Sequence, residues 1–357
     1  MKLTDICEFH GGSQPPKSEW SSEYKDGYIR MLQIRDFTQE GRVTPEYVKI
    51  SNRLRLCTED DILIGRYGAS VGKILSGKSG AYNVAIMKAV PDTSVVRKQY
   101  LRYYFLSPNF QNYILNLGGR AAQAGFSKDD LARLEITVVS LEEQDKIVNE
   151  LSTLEKTIST KQKQLKEFDD LVKSRFIEMF GDPLSNSKGY DLSDYGSLFE
   201  LNAGGTPSKN KPEYWENGNI SWIGSNMCQD TILYENDGKY ITELGFNNSS
   251  ARMFPKNTVL VALVGATIGK TALLKFETTT NQNVLGIRGI EESGNNPYFV
   301  FYYTQGLHKF FMDISDGGFA MASKGFISKL PFPIVDISLQ NDFADFVKLI
   351  DKSKFVG

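Results

Sequence analysis

The chain carries one pattern twice, and this duplication restricts its fold more than any other feature. The segment "DILIGRYGASVGK" (61–73) aligns with "TVLVALVGATIGK" (258–270) at a constant offset of 197 residues. Each copy reads as an apolar strand, then two glycines that enclose three residues, then a lysine. A chain of 357 residues is also longer than one compact core usually holds. The sequence therefore predicts two similar globular regions.

Shorter matches extend the repeat on both sides of this segment. With three residues inserted, the alignment pairs Asn83 with Asn283, Gly11-Gly12 with Gly204-Gly205, Ile29 with Ile220, 100–105 with 298–303, and Phe126 with Phe326. Each copy reads as short strands separated by Gly, Asn and Pro, plus one aromatic helix, at 98–115 and 297–312. This arrangement indicates an α+β fold rather than a parallel βαβ array.

A long helical pattern separates the two copies. Between residues 140 and 180, apolar side chains recur at alternating steps of three and four, which is typical of a coiled-coil seam. Ser140 and Glu143 form a capping box at its start, and Gly181 and Pro183 end it. At 1.5 Å per residue, such a helix would span about 60 Å. The predicted seam consists of Ile147, Leu151, Leu154, Ile158, Leu165, Phe168, Val172 and Met179.

A helix of this length cannot bury its apolar stripe alone, so the pattern predicts a partner helix in this chain or another. The C-terminal segment is a candidate, because Leu339, Phe343 and Ile350, with Phe346 or Val347, follow one helical stripe. This distal helix is about half as long as the central one. The predicted organisation is a globule at 1–139, a helix at 140–182, a second globule at 183–337 and a short helix at 338–357.

Charge and cysteine content exclude several classes of protein. The formal net charge is −2, so the chain is not a uniformly basic nucleic-acid binder. Residues 1–139 carry a net charge of +4 and residues 183–337 carry −3, so a polyanion-binding surface must be local. The three cysteines are far apart, which argues against a disulfide framework or a zinc site and favours the cytoplasm. No signal peptide and no run of 18 apolar residues is present.

The stretch "LVGATIGKT" (263–271) ends as a phosphate-binding loop does, so a nucleotide hydrolase using Lys270 and Thr271 is an alternative. That loop needs four residues between its glycines, and Gly265 and Gly269 enclose three. The first copy continues with Ile74, which has no hydroxyl to reach a magnesium ion. The sequence therefore favours a tight turn between two strands, and we identify no catalytic constellation elsewhere.

Taken together, these motifs resemble the specificity (S) subunit of type I restriction-modification enzymes. The resemblance is carried by the paired glycine turns, "LNAGGTPSKNKPEYWENGNISWI" (201–223), "FSKDDLARLEITVVSLEEQDKIVNELSTLEKTI" (126–158) and "SRFIEMFGDP" (174–183), and it covers essentially the whole chain. It implies an α+β fold, with two similar α/β target-recognition domains separated by long antiparallel coiled-coil-like helices in a pseudo-two-fold tandem duplication.

The resemblance also implies a function. Each domain would read one half of a bipartite site in double-stranded DNA, and the helices would set the spacer and dock methyltransferase (M) subunits, two of them. A motor-nuclease (R) subunit would join through that complex. The chain itself would be non-catalytic and hold no cofactor, with S-adenosylmethionine and ATP with magnesium on partner subunits only, and no membrane contact. An interaction scaffold that does not bind DNA remains the other alternative.

The chain departs from the family pattern at two places. The first copy has "HGGSQPPKSEW" (10–20) where the second has "AGGTPSKNKPEYW" (203–215), and the distal helix is short. The short helix leaves open whether two methyltransferases dock equally.

Direct readout of DNA needs amide, arginine and lysine groups at base edges, and positioning needs cations and amides at phosphates. The candidates in the first copy are Arg66, Tyr67, Lys73, Asn83, Arg120 and Gln123. Those in the second copy are Lys270, Thr271, Asn281, Gln282, Asn283 and Lys324. For each of them, a solvated turn is the structural alternative.

Overall fold

In a computed structural model, the chain forms two compact units, unit 1 (Met1–Thr160) and unit 2 (Lys161–Gly357). The structure describes residues 1–39, 41–118, 125–289, 294–315 and 321–355.

Unit 1 contains two β-sheets and a set of short helices. Its strands are β1 (Cys7–Gly11), β2 (Trp20–Ser21), β3 (Tyr28–Leu32), β4 (Tyr47–Lys49), β5 (Leu56–Cys57), β6 (Ile62–Gly65), β7 (Ile74–Leu75), β8 (Gly80–Tyr82) and β9 (Ile86–Pro91). Its helices are α1 (Ile34–Thr38), α2 (Lys98–Leu106), α3 (Pro108–Gly118) and α4 (Lys128–Leu131). One sheet has the order β1-β9-β6-β7 and the other β2-β4-β3-β8-β5. The first sheet packs on the aromatic side chains of α2 and α3, so the main core of the unit lies there.

A long helix, α5 (Leu141–Phe180), runs from unit 1 into unit 2. The strands of unit 2 are β10 (Leu192–Asp194), β11 (Phe199–Ala203), β12 (Ile220–Ile223), β13 (Thr231–Leu233), β14 (Tyr240–Ile241), β15 (Met253–Phe254), β16 (Val259–Ala262), β17 (Thr271–Leu274), β18 (Thr278–Thr280), β19 (Val284–Gly289) and β20 (Pro331–Pro333). Its further helices are α6 (Tyr195–Leu198), α7 (Glu243–Asn247), α8 (Pro297–Gly306), α9 (His308–Ser315), α10 (Lys324–Ser328) and α11 (Ile337–Phe355). The sheets are β11-β19-β16-β17-β13, β14-β12-β18-β15 and β10-β20.

The two units repeat one topology, which confirms the predicted duplication and the α+β fold. The order β1-β9-β6-β7 corresponds to β11-β19-β16-β17. A parallel pair at the centre of the second sheet occurs in both units, with Leu32 opposite Tyr82 in unit 1 and Ile223 opposite Thr280 in unit 2. Because the neighbouring strands elsewhere in these sheets are antiparallel, this parallel pair is a distinctive feature that the two units share.

Strand pairing also corrects the sequence alignment between the copies. The strands β6 and β9 pair as β16 and β19 do, and this register makes Ile86 equivalent to Val284. The equivalent of Asn83 is therefore Asn281, and the predicted pairing with Asn283 is wrong by two residues. Likewise Gly12, not Gly11, is equivalent to Gly204, because their amides donate to Ile86 and Val284.

The alignment of Phe126 with Phe326 is also wrong. Isolated bridges join Tyr67 to Gly125 and Val264 to Met321, so the residue equivalent to Phe126 is Ala322. Matching by residue identity misplaced these segments because the loops before them differ in length, whereas backbone pairing does not depend on loop length.

Each predicted aromatic helix consists of two helices in the structure. In unit 1, Ser107 has extended backbone angles and separates α2 from α3. The break follows from Pro108, because proline disfavours helical geometry in the residue before it. In unit 2, α8 ends at Gly306, and Leu307 separates it from α9.

The long helix α5 begins and ends as the sequence predicts. The Oγ atom of Ser140 accepts a hydrogen bond from the Glu143 amide at 3.3 Å. At the other end, Gly181 has φ +81°, and its amide donates to the Ile177 carbonyl at 2.8 Å. A positive φ is easily reached by glycine and ends the helical hydrogen-bond pattern.

Buried glutamines attach the N-terminal turns of α5 and α11 to their units, and the sequence analysis missed both. Gln144 is 0% exposed, donates to the Val95 and Val139 carbonyls, and accepts from the Arg97 amide. Gln340 is 1% exposed and binds the Val335 carbonyl and the Asn296 amide in the same way. The sequence does show a glutamine near the start of both helices. Its structural role could not be predicted, because it depends on hydrogen-bond partners elsewhere in the chain.

Within unit 2, α5 packs through buried apolar residues that recur at every fourth position. Val172, Phe176 and Phe180 are 1%, 3% and 5% exposed. The rings of Phe176 and Phe180 meet that of Phe343 in α11 at 5.3 and 5.5 Å, in edge-to-face geometry. The predicted seam contained Val172 but not the two phenylalanines. The predicted stripe of α11 is observed, because Phe343, Val347 and Ile350 are buried.

The remaining seam positions differ in exposure. Ile147, Leu151, Phe168 and Met179 are partly buried. Leu154, Ile158 and Leu165 are 58%, 58% and 42% exposed. Their predicted role in binding a partner stays a prediction.

We expect Gln144→Ala to lower the free energy of unfolding by about 2–3 kcal/mol, because it leaves buried backbone groups without partners. The measurement is urea unfolding followed by circular dichroism. Gln164→Ala, at an exposed position of the same helix, is the matched control and should change the midpoint little. Equal midpoints for the two variants would contradict this role of Gln144.

Candidate nucleic-acid interface

The glycine turns (66–73 in unit 1, 263–270 in unit 2) are built in the same way. Gly265 and Gly269 have φ of +70° and +73°, and Gly68 and Gly72 have +60° and +78°. The Gly269 amide donates to the Ala262 carbonyl at 2.9 Å, which closes the turn. Each turn joins antiparallel strands, β6 to β7 and β16 to β17. This is a hairpin, whereas a phosphate-binding loop leads from a strand into a helix.

The structure removes Thr271 from the candidates for ligand contact. Thr271 is 0% exposed, and its amide and hydroxyl both donate to Oδ1 of Asp230, at 3.0 and 3.2 Å. Its hydroxyl therefore holds the start of β13 and is not available to a magnesium ion or to DNA. The neighbouring Lys270 is partly exposed, and its Nζ donates to Oε1 of Gln229 at 2.8 Å. Lys73, at the equivalent position in unit 1, is exposed.

A short asparagine turn follows β8 and β18, at Asn83 and Asn281. In each, Oδ1 accepts from the backbone amide two residues later, Ala85 at 3.1 Å and Asn283 at 3.0 Å. This bond fixes the side-chain amide, so Nδ2 is the atom left for other contacts. Among the residues that the structure describes, neither Nδ2 has a hydrogen-bond partner. Asn283 itself is partly buried.

In unit 1, Arg66 and Tyr67 lie against the asparagine turn. The Arg66 guanidinium donates to the carbonyls of Phe126 and Val84, both at 3.4 Å, and lies 5.0 Å from the centre of the Tyr67 ring. Tyr67 is 42% exposed. The structure thus brings Arg66, Tyr67 and Asn83 together at one edge. Arg120 and Gln123 lie outside the described residues.

Two further candidates of unit 2 are exposed. Gln282, in the asparagine turn, accepts a short hydrogen bond from the Thr206 hydroxyl. Lys324 is the first residue of α10, and the preceding Ser323 caps that helix by accepting from the Phe326 amide at 3.1 Å. The sequence analysis missed the equivalent lysine of unit 1, Lys128, which follows a cap at Ser127. The dipeptide Ser-Lys, which occurs in both copies, could have identified this lysine from the sequence.

The three cysteines are free and buried. Burial raises the pKa of the Cys7 and Cys228 thiols to about 12 and that of Cys57 to about 11, so they are protonated at neutral pH. Within the described ranges, no group of three or more His, Cys, Asp or Glu side chains could hold a metal ion. No helix in the same ranges is long and apolar enough to cross a membrane.

Comparison with known proteins identifies the family. The model of the "Type I restriction modification DNA specificity domain" matches the chain twice, over residues 1–168 and 187–355. The chain therefore belongs to the family of type I restriction-modification specificity subunits. These are the non-catalytic DNA-recognition components of such systems.

Individual relatives agree with this assignment. The EcoR124I/EcoR124II specificity subunit of Escherichia coli is 35% identical over 95 residues, which are 26% of this chain and 23% of that protein. The MjaIX specificity subunit of Methanocaldococcus jannaschii is 23% identical over 330 residues, 84% of this chain and 74% of that protein.

Solved structures share the fold. The crystal structure of an S subunit from M. genitalium matches with a TM-score of 0.61 and 15% identity, covering 99% of this chain and 89% of that one. A chain from a study of complex assembly and conformational transition in the type I R-M system matches with a TM-score of 0.54 and 14% identity, covering 100% and 90%. At these identities the likeness concerns the fold alone.

We expect Gly269→Ala to destabilise the protein more than Gly265→Ala. Both positions require a left-handed backbone, which costs about 1–2 kcal/mol for a residue with a Cβ. A Cβ on Gly269 would also lie 2.6 Å from the Cβ of Phe311, whereas one on Gly265 meets nothing within 4 Å. Overpacking of this kind adds about 1–3 kcal/mol. Thermal unfolding of both variants measures the difference, and equal losses would show that Phe311 does not constrain the turn.

Proposed function

We propose that each unit of this chain reads one half of a bipartite site in double-stranded DNA. The observation that carries the proposal is that one scaffold occurs twice with different side chains at matching positions. Arg66 in one glycine turn corresponds to Leu263 in the other, and Val84 corresponds to Gln282. Two similar surfaces suit two spaced half-sites, and their different side chains suit two different sequences.

The helices in this proposal set the spacer and dock the methyltransferase subunits. Its support is that α5 is one continuous helix of 40 residues, about 60 Å long, with Leu154, Ile158 and Leu165 exposed along it. Large apolar side chains at coiled-coil spacing fit a helical or apolar partner surface. The duplicated scaffold favours two methyltransferases, and the nuclease subunit joins through them.

The same proposal assigns the chemistry to the partners. S-adenosylmethionine belongs to the methyltransferases, and ATP with magnesium belongs to the motor-nuclease subunit. The hairpin geometry of the glycine turn supports this division, because it does not suit the nucleotide site that Lys270 and Thr271 had suggested. Three buried free cysteines and a genomic DNA partner are in keeping with a cytoplasmic complex.

The direct test is co-expression of the chain with a cognate adenine methyltransferase, followed by sequencing of methylated sites in genomic DNA. We expect one motif with two different specified halves and an unspecified spacer of constant length. Methylation without sequence preference would favour the scaffold alternative. A single contiguous motif would contradict the assignment of one half-site to each unit.

We expect insertion of one heptad into both α5 and α11 to lengthen the spacer and leave both half-sites unchanged. Seven residues add about 10 Å, which corresponds to about three base pairs, and a heptad preserves the helical face. The measurement is again the methylated motif. Replacement of seven exposed residues of α5 without a change in length is the control. Altered half-sites with an unaltered spacer would contradict the proposed role of the helices.

A further inference from the structure

An open groove in unit 2 lies beside the asparagine turn, and the sequence analysis did not select it. Its volume is about 540 Å³, and it is lined by Trp215, Trp222, Gly224, Asn226, Lys239 and Asn281 among others. We define Gly224, Asn226 and Lys239 as the second wall. The groove lies next to the glycine turn, because the Leu263 amide donates to the Asn283 carbonyl at 2.8 Å.

The floor of the groove is held rigidly. The Trp222 indole donates to the Gly205 carbonyl at 3.2 Å, and the Trp215 indole donates to the Ser208 carbonyl at 3.1 Å. The two rings meet edge to face at 5.2 Å. Their N–H groups are therefore satisfied internally, and the rings offer an apolar surface rather than donors.

Polar atoms without partners stand above this floor. A Cβ on Gly224 would lie 2.5 Å from Oδ1 of Asn226 and 3.7 Å from Nδ2 of Asn281, so both amides face the space over this glycine. Asn281 presents Nδ2 because its Oδ1 accepts from the Asn283 amide. Within the described part of the chain, the side chain of Asn226 has no hydrogen-bond partner. The groove thus presents an acceptor and a donor toward the same space, and adenine offers the complementary N6 donor and N7 acceptor.

The equivalent positions in unit 1 carry different side chains. The register of β3 and β12 aligns Gln33 with Gly224 and Arg35 with Asn226. The amides of Met31 and Trp222 donate to Glu46 and Lys239 respectively, which makes these two oppositely charged residues equivalent. We define Gln33, Arg35 and Glu46 as the first wall.

The first wall holds an arginine in place. The Glu46 carboxylate accepts short hydrogen bonds from the side-chain amide of Gln33 and from the Arg35 guanidinium. Arg35 nevertheless stays 45% exposed. A guanidinium fixed by a carboxylate and open to solvent is suited to donate two hydrogen bonds to O6 and N7 of guanine.

We propose that the two walls carry the difference between the half-sites: Asn226 with Asn281 reads an adenine in the second, and Arg35 reads a guanine in the first. This inference rests on the proposed function. Both units have an asparagine at this turn, Asn83 in the first and Asn281 in the second. The discrimination between the two half-sites therefore falls to the wall beside each turn. Lys239 lies at the rim of the groove, is 52% exposed, and its Nζ pairs with the Asp237 carboxylate.

The test uses the chain in complex with its methyltransferase, and selection of bound DNA from a random library. We expect Asn226→Ala to lower the preference for one adenine of the second half-site by about 5- to 150-fold, because the paired contact that Asn226 and Asn281 make with that base is broken. The first half-site should be unchanged. Arg35→Ala should have the reciprocal effect, on one guanine of the first half-site only.

Two controls keep the test decisive. Asn247→Ala removes an exposed asparagine at the end of α7 and should alter neither half-site. The reciprocal pattern of Asn226→Ala and Arg35→Ala cannot arise from a folding defect, which would weaken both half-sites together. A wild-type complex without a bipartite motif would defeat the proposed function. A wild-type bipartite motif that both variants leave unchanged, or alter in both halves, would overturn the assignment of the walls.

Discussion

The chain passes from β1 in unit 1, and from β11 in unit 2, directly against the backbone of the asparagine turn, and the edge formed by the asparagine turn and the glycine turn depends on this approach. A Cβ on Gly12 would lie 2.0 Å from the Asn83 carbonyl oxygen, and one on Gly204 would lie 2.5 Å from that of Asn281. Only glycine permits such contact. The turn joins β8 to β9 and β18 to β19, which belong to different sheets. It therefore brings the glycine turn of one sheet next to the wall of the other.

The buried glutamines join the starts of α5 and α11 to the units by hydrogen bonds. Gln144 and Gln340 each bind a carbonyl of the segment that precedes the helix and an amide at the start of α2 or α8. Buried amide groups that are fully bonded specify one arrangement, because any other leaves polar atoms without partners. In this way the start of each helix is fixed to the body of its own unit.

The sequence predicted the candidate site in part. It located the asparagine turns, Arg66 and the lysines of the glycine turns, because Gly, Asn and Lys in turns have local preferences that a single sequence displays. It also included Thr271, whose hydroxyl donates to Asp230, and it did not select the residues of the two walls. Both outcomes have one cause. Whether a polar side chain is buried or exposed depends on residues far away in the chain, here 41 positions for Thr271.

The sequence by itself determined the duplication, the α+β class, the hairpin glycines and both ends of the long helix, because these follow from periodicity and from capping within a few residues. Only the tertiary structure decided which residues are equivalent at the asparagine turn and at the walls. Pairing between strands set the equivalence of Asn83 with Asn281 and of Glu46 with Lys239, across loops of different length. Hydrogen bonds between backbones impose that register regardless of side-chain identity, so the amino-acid sequence alone could not reveal it.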